Sequence, residues 1–139
     1  MQQQQAIRVT DLDSRRLQGL IRGSQVVDTL DASSVDGLER HLDEAVVTPA
    51  SHIGPDVVTM RSSVQVTDLD SGETFAFHLV FPRRATGSAG KVSVLAPLGM
   101  AVLGRSVGEL VSWQVPAGVR RLRVDNVLYQ PEREGRDIA

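Results

Sequence analysis

The hydrophobic period of this chain switches once, near Pro49–Pro55, and that switch restricts the fold to helices first and strands after. Before it, Leu17, Leu20 and Ile21 fall at i, i+3 and i+4, one face of a helix. Val35, Leu38, Leu42, Ala45 and Val46 form a second stripe that Pro49 ends. After it, Val-rich segments alternate and are cut by Gly and Pro turns. A run of helices followed by a run of strands is the pattern of an α+β chain.

The first helix is expected after Thr10-Asp11-Leu12-Asp13. Thr10 or Asp11 can cap its free N–H groups, Asp13 adds negative charge to its first turn, and Gly23-Ser24 stops it. The second is expected after Ser33-Ser34. Gly19 and Gly37 weaken these helices by up to about 1 kcal/mol each relative to Ala. Neither helix should stand alone, so the two should pack stripe to stripe as a short antiparallel hairpin. With about a dozen residues per helix its reach is about 18 Å.

The second half predicts a small antiparallel sheet carrying one short helix. Val57-Val58-Thr59-Met60 opens it as a strand. Ser62–Thr67 and Glu73–Phe81 form a hairpin about the turn Asp68–Gly72, with Phe75, Phe77, Leu79 and Phe81 on one face. Val92–Leu95 is a short strand, and Pro97 starts a helix that Gly104 stops, since proline lacks an N–H that would go unpaired there. Leu110–Val115 and Val119–Tyr129 are the last strands, and the charged tail after Pro131 is expected to be loose. The resulting division is a disordered tail over residues 1–9, a short coiled-coil hairpin over 10–48 and a sheet domain over 49–139.

Composition narrows the function. With no cysteine, thiolate metal sites, disulfides and cysteine nucleophiles are all excluded. A formal net charge of −2 is a poor match for generic duplex binding, which needs clustered Lys and Arg. No apolar run approaches the roughly 18 residues of a membrane span, and the start lacks the pattern of a signal peptide, so a soluble, cytoplasmic chain with no membrane partner is expected. The histidines His41, His52 and His78 lie on three separate elements with no ligand spacing, so no metal and no cofactor is expected. No Gly-x-Ser-x-Gly elbow is present, and Gly87-Ser88-Ala89-Gly90-Lys91 precedes a strand rather than the helix a phosphate loop needs. No catalytic residue is assigned. Two basic groups remain, Arg83-Arg84 in a loop and Arg121 with Arg123 on one face of the last strand; either a solvated face or a patch for an acidic surface fits them.

Three segments carry a family resemblance. They are Asp56-Val-Val-Thr-Met60, the Ala-Pro-x-Gly-x-Ala-x-Leu-Gly-x-x-Val-Gly pattern from Ala96 to Gly108, and Tyr129-Gln130-Pro131. Together they resemble the regulator of nucleoside diphosphate kinase (Rnk) family, within the GreA/GreB transcription elongation factor superfamily. The resemblance implies a GreA/GreB C-terminal-like domain of FK506-binding (FKBP-like) fold. It implies docking of that domain on the rim of the RNA polymerase secondary channel through Leu95, Ala96, Pro97 and Leu98. It also implies a helical arm that enters the channel, with Asp28 and Asp31 as acidic residues at its tip. Two departures stand out: Leu95-Ala96-Pro97 replaces a polar-Ser-Pro step, and the arms of the relatives run more than twice as far.

The expected function is a non-enzymatic regulator that binds RNA polymerase, competes with Gre factors and does not stimulate transcript cleavage. Contact with DNA would be only indirect, and nucleoside diphosphate kinase would be affected through its levels. A prolyl isomerase-like or peptide-binding chaperone domain is the alternative, which needs a concave aromatic pocket. A direct kinase-binding protein is a third reading.

Overall fold

The computed structural model describes residues 6–26, 32–84 and 90–135. The chain is mixed α+β. It opens on β1 (Arg8–Thr10), α1 (Asp11–Val26), α2 (Ala32–Asp43) and β2 (Val46–Thr48). After a 3-10 turn at Ala50–His52 come β3 (Ser63–Asp68), β4 (Thr74–Val80) and a second 3-10 turn at Pro82–Arg84. β5 (Lys91–Ser93), α3 (Pro97–Val102), β6 (Leu110–Val115) and β7 (Gly118–Tyr129) complete it. Among the described residues no helix is long and apolar enough to cross a membrane.

Five strands form one sheet in the order β5-β4-β3-β7-β6. The β3–β4 hairpin forms where the alternation predicts it. Its turn is held by Asp68, whose Oδ1 accepts from the Asp70 and Ser71 amides at 2.8 and 3.2 Å, and by Gly72 at φ +78°. Val64 and Val66 of β3 face Leu122, Val124 and Val127 of β7, all buried. The irregular spacing of Val124 and Val127 follows from a register shift between Gln65 and Val66, which returns both valines to the core side. The sheet is not purely antiparallel as expected. β5 runs parallel to β4, with His78 beside Lys91 and Val80 beside Ser93.

Three further expectations need correction. Val46 belongs to no helical stripe: β2 pairs in parallel with β1, leaving Val46 and Val47 exposed. Two strands of three residues each are too short to show a period in the sequence. β1 also takes Ile7 and Val9 out of the tail expected over residues 1–9; both are buried, and the Ile7 carbonyl accepts from the Val46 amide at 2.7 Å. The tail after Pro131 is not loose as far as Gly135: Glu132 is buried, the Arg133 guanidinium donates to the Val127 carbonyl at 3.1 Å, and the Gly135 amide donates to the Glu132 carbonyl at 3.1 Å.

The capping residue of α1 is Thr10, whose Oγ1 accepts from the Asp13 amide at 3.0 Å. The helix continues through Gly23-Ser24 to Val26, 16 residues or about 24 Å, longer than expected. One cluster of buried side chains takes in Leu17 and Ile21 of α1, Val35, Leu38 and Leu42 of α2, and Met60, Val102 and Val124 of the body. The helices therefore share the core of the sheet.

Val57–Met60 is not a strand. The segment is buried and makes a single bridge, Val57 to Ser106. Its backbone groups are nonetheless satisfied one by one. The Val58 and Met60 amides donate to the Arg105 carbonyl at 2.8 Å and to Asp13 Oδ2 at 3.0 Å. The Thr59 amide donates to Ser62 Oγ at 3.0 Å. The carbonyls of Asp56, Val57 and Val58 accept from the Val107 amide, Gln130 Nε2 and the Gly104 amide at 3.0, 2.8 and 2.8 Å.

α3 sits close to the strands that precede it, and two glycines set that distance. A Cβ on Gly99 would lie 2.2 Å from the Ser93 carbonyl oxygen and 3.0 Å from Leu79 Cδ1. Gly104 adopts φ +81°, and a Cβ there would lie 2.3 Å from Ile7 Cγ2. Gly99→Ala and Gly104→Ala should each destabilise the chain by about 2 kcal/mol or more, from overpacking and, at 104, backbone strain. Gly19→Ala, with open space around it on α1, should be neutral or stabilising by up to about 1 kcal/mol. Urea melts of the three variants check this; unchanged midpoints for the first two would refute the close-approach account.

Candidate functional site

The turn into α3 is built by Ser93. Its Oγ accepts from the Leu95 amide at 3.0 Å and its carbonyl accepts from the Ala96 amide at 3.0 Å. Ala96 then takes the capping position, with extended backbone and no side-chain acceptor, and Pro97 is the first helical residue. Of the four residues proposed for docking, Pro97 is exposed. Leu95 and Leu98 are half-buried and pack against the core. Ala96 is half-buried as well, so Pro97 is the one exposed residue of the four.

Pro97 stands at the rim of a cleft of about 520 Å³ between α3 and β6. His41, Met100, Arg105, Trp113 and Val119 also line it. His41 Nε2 donates to the Leu103 carbonyl at 2.9 Å, which fixes the ring and joins α2 to the end of α3. Burial, reinforced by the Arg105 charge, holds this imidazole below its ordinary range, so it is neutral at pH 7. Arg105 is tied to Glu109 at 3.3 Å. The cleft is mixed in character: Pro97, Met100, Val111 and Trp113 form its apolar side, and Val119, 59 % exposed at its edge, extends that side.

The three segments that carry the resemblance meet in space. Gln130 Nε2 bridges the Gly54 and Val57 carbonyls at 2.8 Å each, while residues 104–107 pair with residues 56–58. Thr59 Oγ1 donates to Glu132 Oε1 at 2.7 Å and lies 2.9 Å from Ser62 Oγ. Most of these residues are buried, so the patterns chiefly record how the fold is held.

Asp13 lies at this junction, not on the surface of the first turn of α1. It is 1 % exposed, with one oxygen on the Met60 amide and the other 3.7 Å from Arg16. Burial, then the Glu132 carboxylate, push its pKa up from 3.8 to about 6, against the Met60 amide, Arg16 and Arg61.

The remaining sequence candidates do not converge. Asp28 and Asp31 lie outside the described residues. Arg121 pairs with Asp70 at 3.4 Å and Arg123 with Asp125 at 2.7 Å, while Arg120 beside them holds Asp68 at 2.7 Å. The Arg121 amide, then its guanidinium, hold the Asp70 carboxyl below its usual range. Charge on this face is largely answered by its own carboxylates. Arg84 lines a different cleft with Lys91, and Arg83 precedes it in the 3-10 turn. His52 is exposed, and His78 Nδ1 lies 2.8 Å from Ser63 Oγ. Among the described residues no group of three or more His, Asp or Glu side chains is placed to hold a metal.

Sequence reasoning missed Met100, Trp113 and Val119 as partners of Pro97, because only the packing of α3 on β6 brings them together. The lone tryptophan was the available signal. For an isomerase-like pocket the aromatic supply is thin: Phe77 is buried, Phe75 packs on it at 6.2 Å between ring centroids, and Trp113 alone faces this cleft.

Comparison with known proteins adds to this geometry. Residues 52–129 match the family model described as transcription elongation factor GreA/GreB, C-terminal. The chain is 36 % identical over 133 residues to the regulator of nucleoside diphosphate kinase of Escherichia coli K12, spanning 91 % of this chain and 92 % of that protein. It is 38 % identical over 95 residues to transcription elongation factor GreA of Chloroherpeton thalassium, spanning 68 % of this chain but 60 % of that one. The solved structure of a GreA/GreB elongation factor from Nitrosomonas europaea superposes with a TM-score of 0.71 at 36 % identity, covering 88 % of this chain and 99 % of that chain.

The elevated Asp13 pKa has a measurable sign. Between pH 4 and 6 the folded chain holds a proton on Asp13 that the unfolded chain releases, so this group's contribution to stability falls as pH rises through 6. A rise from 3.8 to about 6 corresponds to about 3 kcal/mol. Asp13→Asn keeps an acceptor for the Met60 amide and removes the charge. Its stability should match that of the parent near pH 4 and exceed it at pH 7. Urea midpoints at both pH values check this, and a constant difference between the two chains would contradict it.

Proposed function

This chain belongs to the regulator of nucleoside diphosphate kinase family, within the GreA/GreB transcription elongation factors, and on that ground we propose that it is a non-enzymatic transcription regulator. In this reading it binds RNA polymerase at the rim of the secondary channel without stimulating transcript cleavage. Residues 49–139 form the docking body, residues 10–48 the short arm, and Pro97 with the cleft beside it the contact surface. Its place is the cytoplasm, where it competes with Gre factors for the rim, and its effect on nucleoside diphosphate kinase is indirect.

The observation that carries this reading is how early the arm is tied down. α2 meets the body at Gly37, where a Cβ would lie 3.2 Å from Met100 Sδ, and again at His41. α1 is tied at its first turn through Asp13. Only Ala32–Asp36 of α2 precedes the first of these contacts, about 7 Å of helix. A carboxylate assists a two-metal reaction only within a few ångströms of the ions. The match to GreA supports the same reading, since it leaves about two fifths of GreA without a counterpart. The coarser part, a transcription-factor-like regulator, rests on the relatives themselves.

Two experiments test this proposal. With a backtracked complex of core polymerase, the chain should leave the transcript uncut and should slow cleavage by added GreA in a concentration-dependent manner; robust shortening by the chain alone would overturn the short-arm reading. For docking, Val119→Glu should weaken binding to core polymerase by about tenfold or more, since burying an unpaired charge is costly. Ala96→Ser supplies the missing cap of α3 and should stabilise the fold by about 0.5–1 kcal/mol. The same variant should bind polymerase at least as tightly as the parent. Unchanged binding of Val119→Glu in fluorescence anisotropy would remove the cleft from the interface.

A further inference from the structure

A second cleft, of about 470 Å³, lies at the β5 edge of the sheet, apart from Pro97. Five of the residues that line it carry or can carry positive charge, and they come from five places in the chain. Arg16 comes from α1, Arg61 from the turn before β3, His78 from β4, Arg84 from the 3-10 turn and Lys91 from β5. The concentration is notable in a chain whose formal net charge is −2. On β7 the arginines are met by carboxylates. In this cleft Arg16 lies 3.7 Å from Asp13, which is buried behind it, and none of the described lining residues is an Asp or Glu.

We propose that this cleft binds a phosphate-bearing small anion of the di- or triphosphate class. Guanidinium groups offer paired donors that match phosphate oxygens, and an ammonium adds a point charge. The volume exceeds what one phosphate fills and lies in the range of small-molecule sites. Phe81, half-buried on the wall, offers an apolar face to a ring attached to the phosphates.

The backbone holds the cationic groups in place. Arg61 has φ +67°, the only positive value among the described non-glycine residues, and its amide donates to the Leu79 carbonyl at 2.8 Å. His78 and Lys91 are register partners on parallel strands, and the His78 amide donates to the Gly90 carbonyl at 2.6 Å. When Ser63 Oγ donates to Nδ1, the proton of the neutral His78 ring sits on Nε2, a donor. Burial, then the charges of Lys91 and Arg61, hold this imidazole below its ordinary range. Arg16 and Arg84 line the same cleft as the ring. A bound anion would offset the repulsion and raise the His78 pKa.

The site is independent of polymerase docking and can be tested on the isolated full chain. Inorganic pyrophosphate and adenosine diphosphate are titrated separately by calorimetry at low ionic strength, with the His78 ring followed by NMR. Saturable one-to-one binding with His78 titrating at higher pH in the complex is expected. Lys91→Glu and Arg84→Glu, both at exposed positions, should each weaken binding about tenfold. Arg121→Glu, on β7, should change it by less than about twofold. The neutral variants Lys91→Gln and Arg84→Gln replace the reversals if those lower the melting temperature. Tighter binding of adenosine diphosphate than of pyrophosphate would identify a nucleotide, and equal binding the phosphates alone. Absence of saturable binding by both probes would overturn the proposal, as would equal losses in Arg121→Glu and Lys91→Glu.

Discussion

The rest of the structure depends on finding hydrogen-bond partners for four buried residues that belong to no strand. Val57–Met60 runs buried through the core, where an unpaired amide or carbonyl is costly. The partners come from α1 through Asp13, from the loop after α3 through Gly104, Arg105 and Val107, and from the end of β7 through Gln130. Helices, sheet and C-terminal turn are thereby held to one another through a single stretch of backbone. The three sequence patterns that mark the family meet at this junction, and Asp13 of α1 joins them from outside all three.

Much of the fold was legible because its elements are regular. The β3–β4 hairpin has strict alternation and an Asp-rich turn, α1 has a Thr10 cap, and Pro97 and Gly104 bound α3. The failures have a common cause. β1 and β2 are three residues each, and Val46-Val47 extends the spacing of α2, so local pattern could not separate strand from helix. Val57–Met60 has the composition of a strand but pairs with loops. The parallel placement of β5 depends on a crossover that no local pattern records. Within the candidate site Pro97 could be found from its own segment. Its neighbours Trp113 and Val119 lie 16 and 22 positions later and meet it only after β6 has paired with β7.

The charge of the chain is organised by pairing rather than by amount. Asp68, Asp70 and Asp125 answer the arginines of β7, so a face that reads as basic in sequence carries little field. Of the cationic residues of the β5 edge only Arg84 lies in a basic run; the others come from distant positions and are invisible to a search for such runs. The near-neutral total conceals both facts, since it averages over a neutralised face and a concentrated one.

Gly104 has a consequence for how the molecule is made. The Arg8 amide donates to the Gly104 carbonyl at 3.1 Å, so the first strand is completed by a residue synthesised 96 positions later. While the chain emerges from the ribosome, the apolar sides of α1 and α2 have no body to cover them until residues beyond Gly104 have appeared. Assembly must therefore wait for most of translation, and a nascent chain stalled before that point would present bare leucines to chaperones.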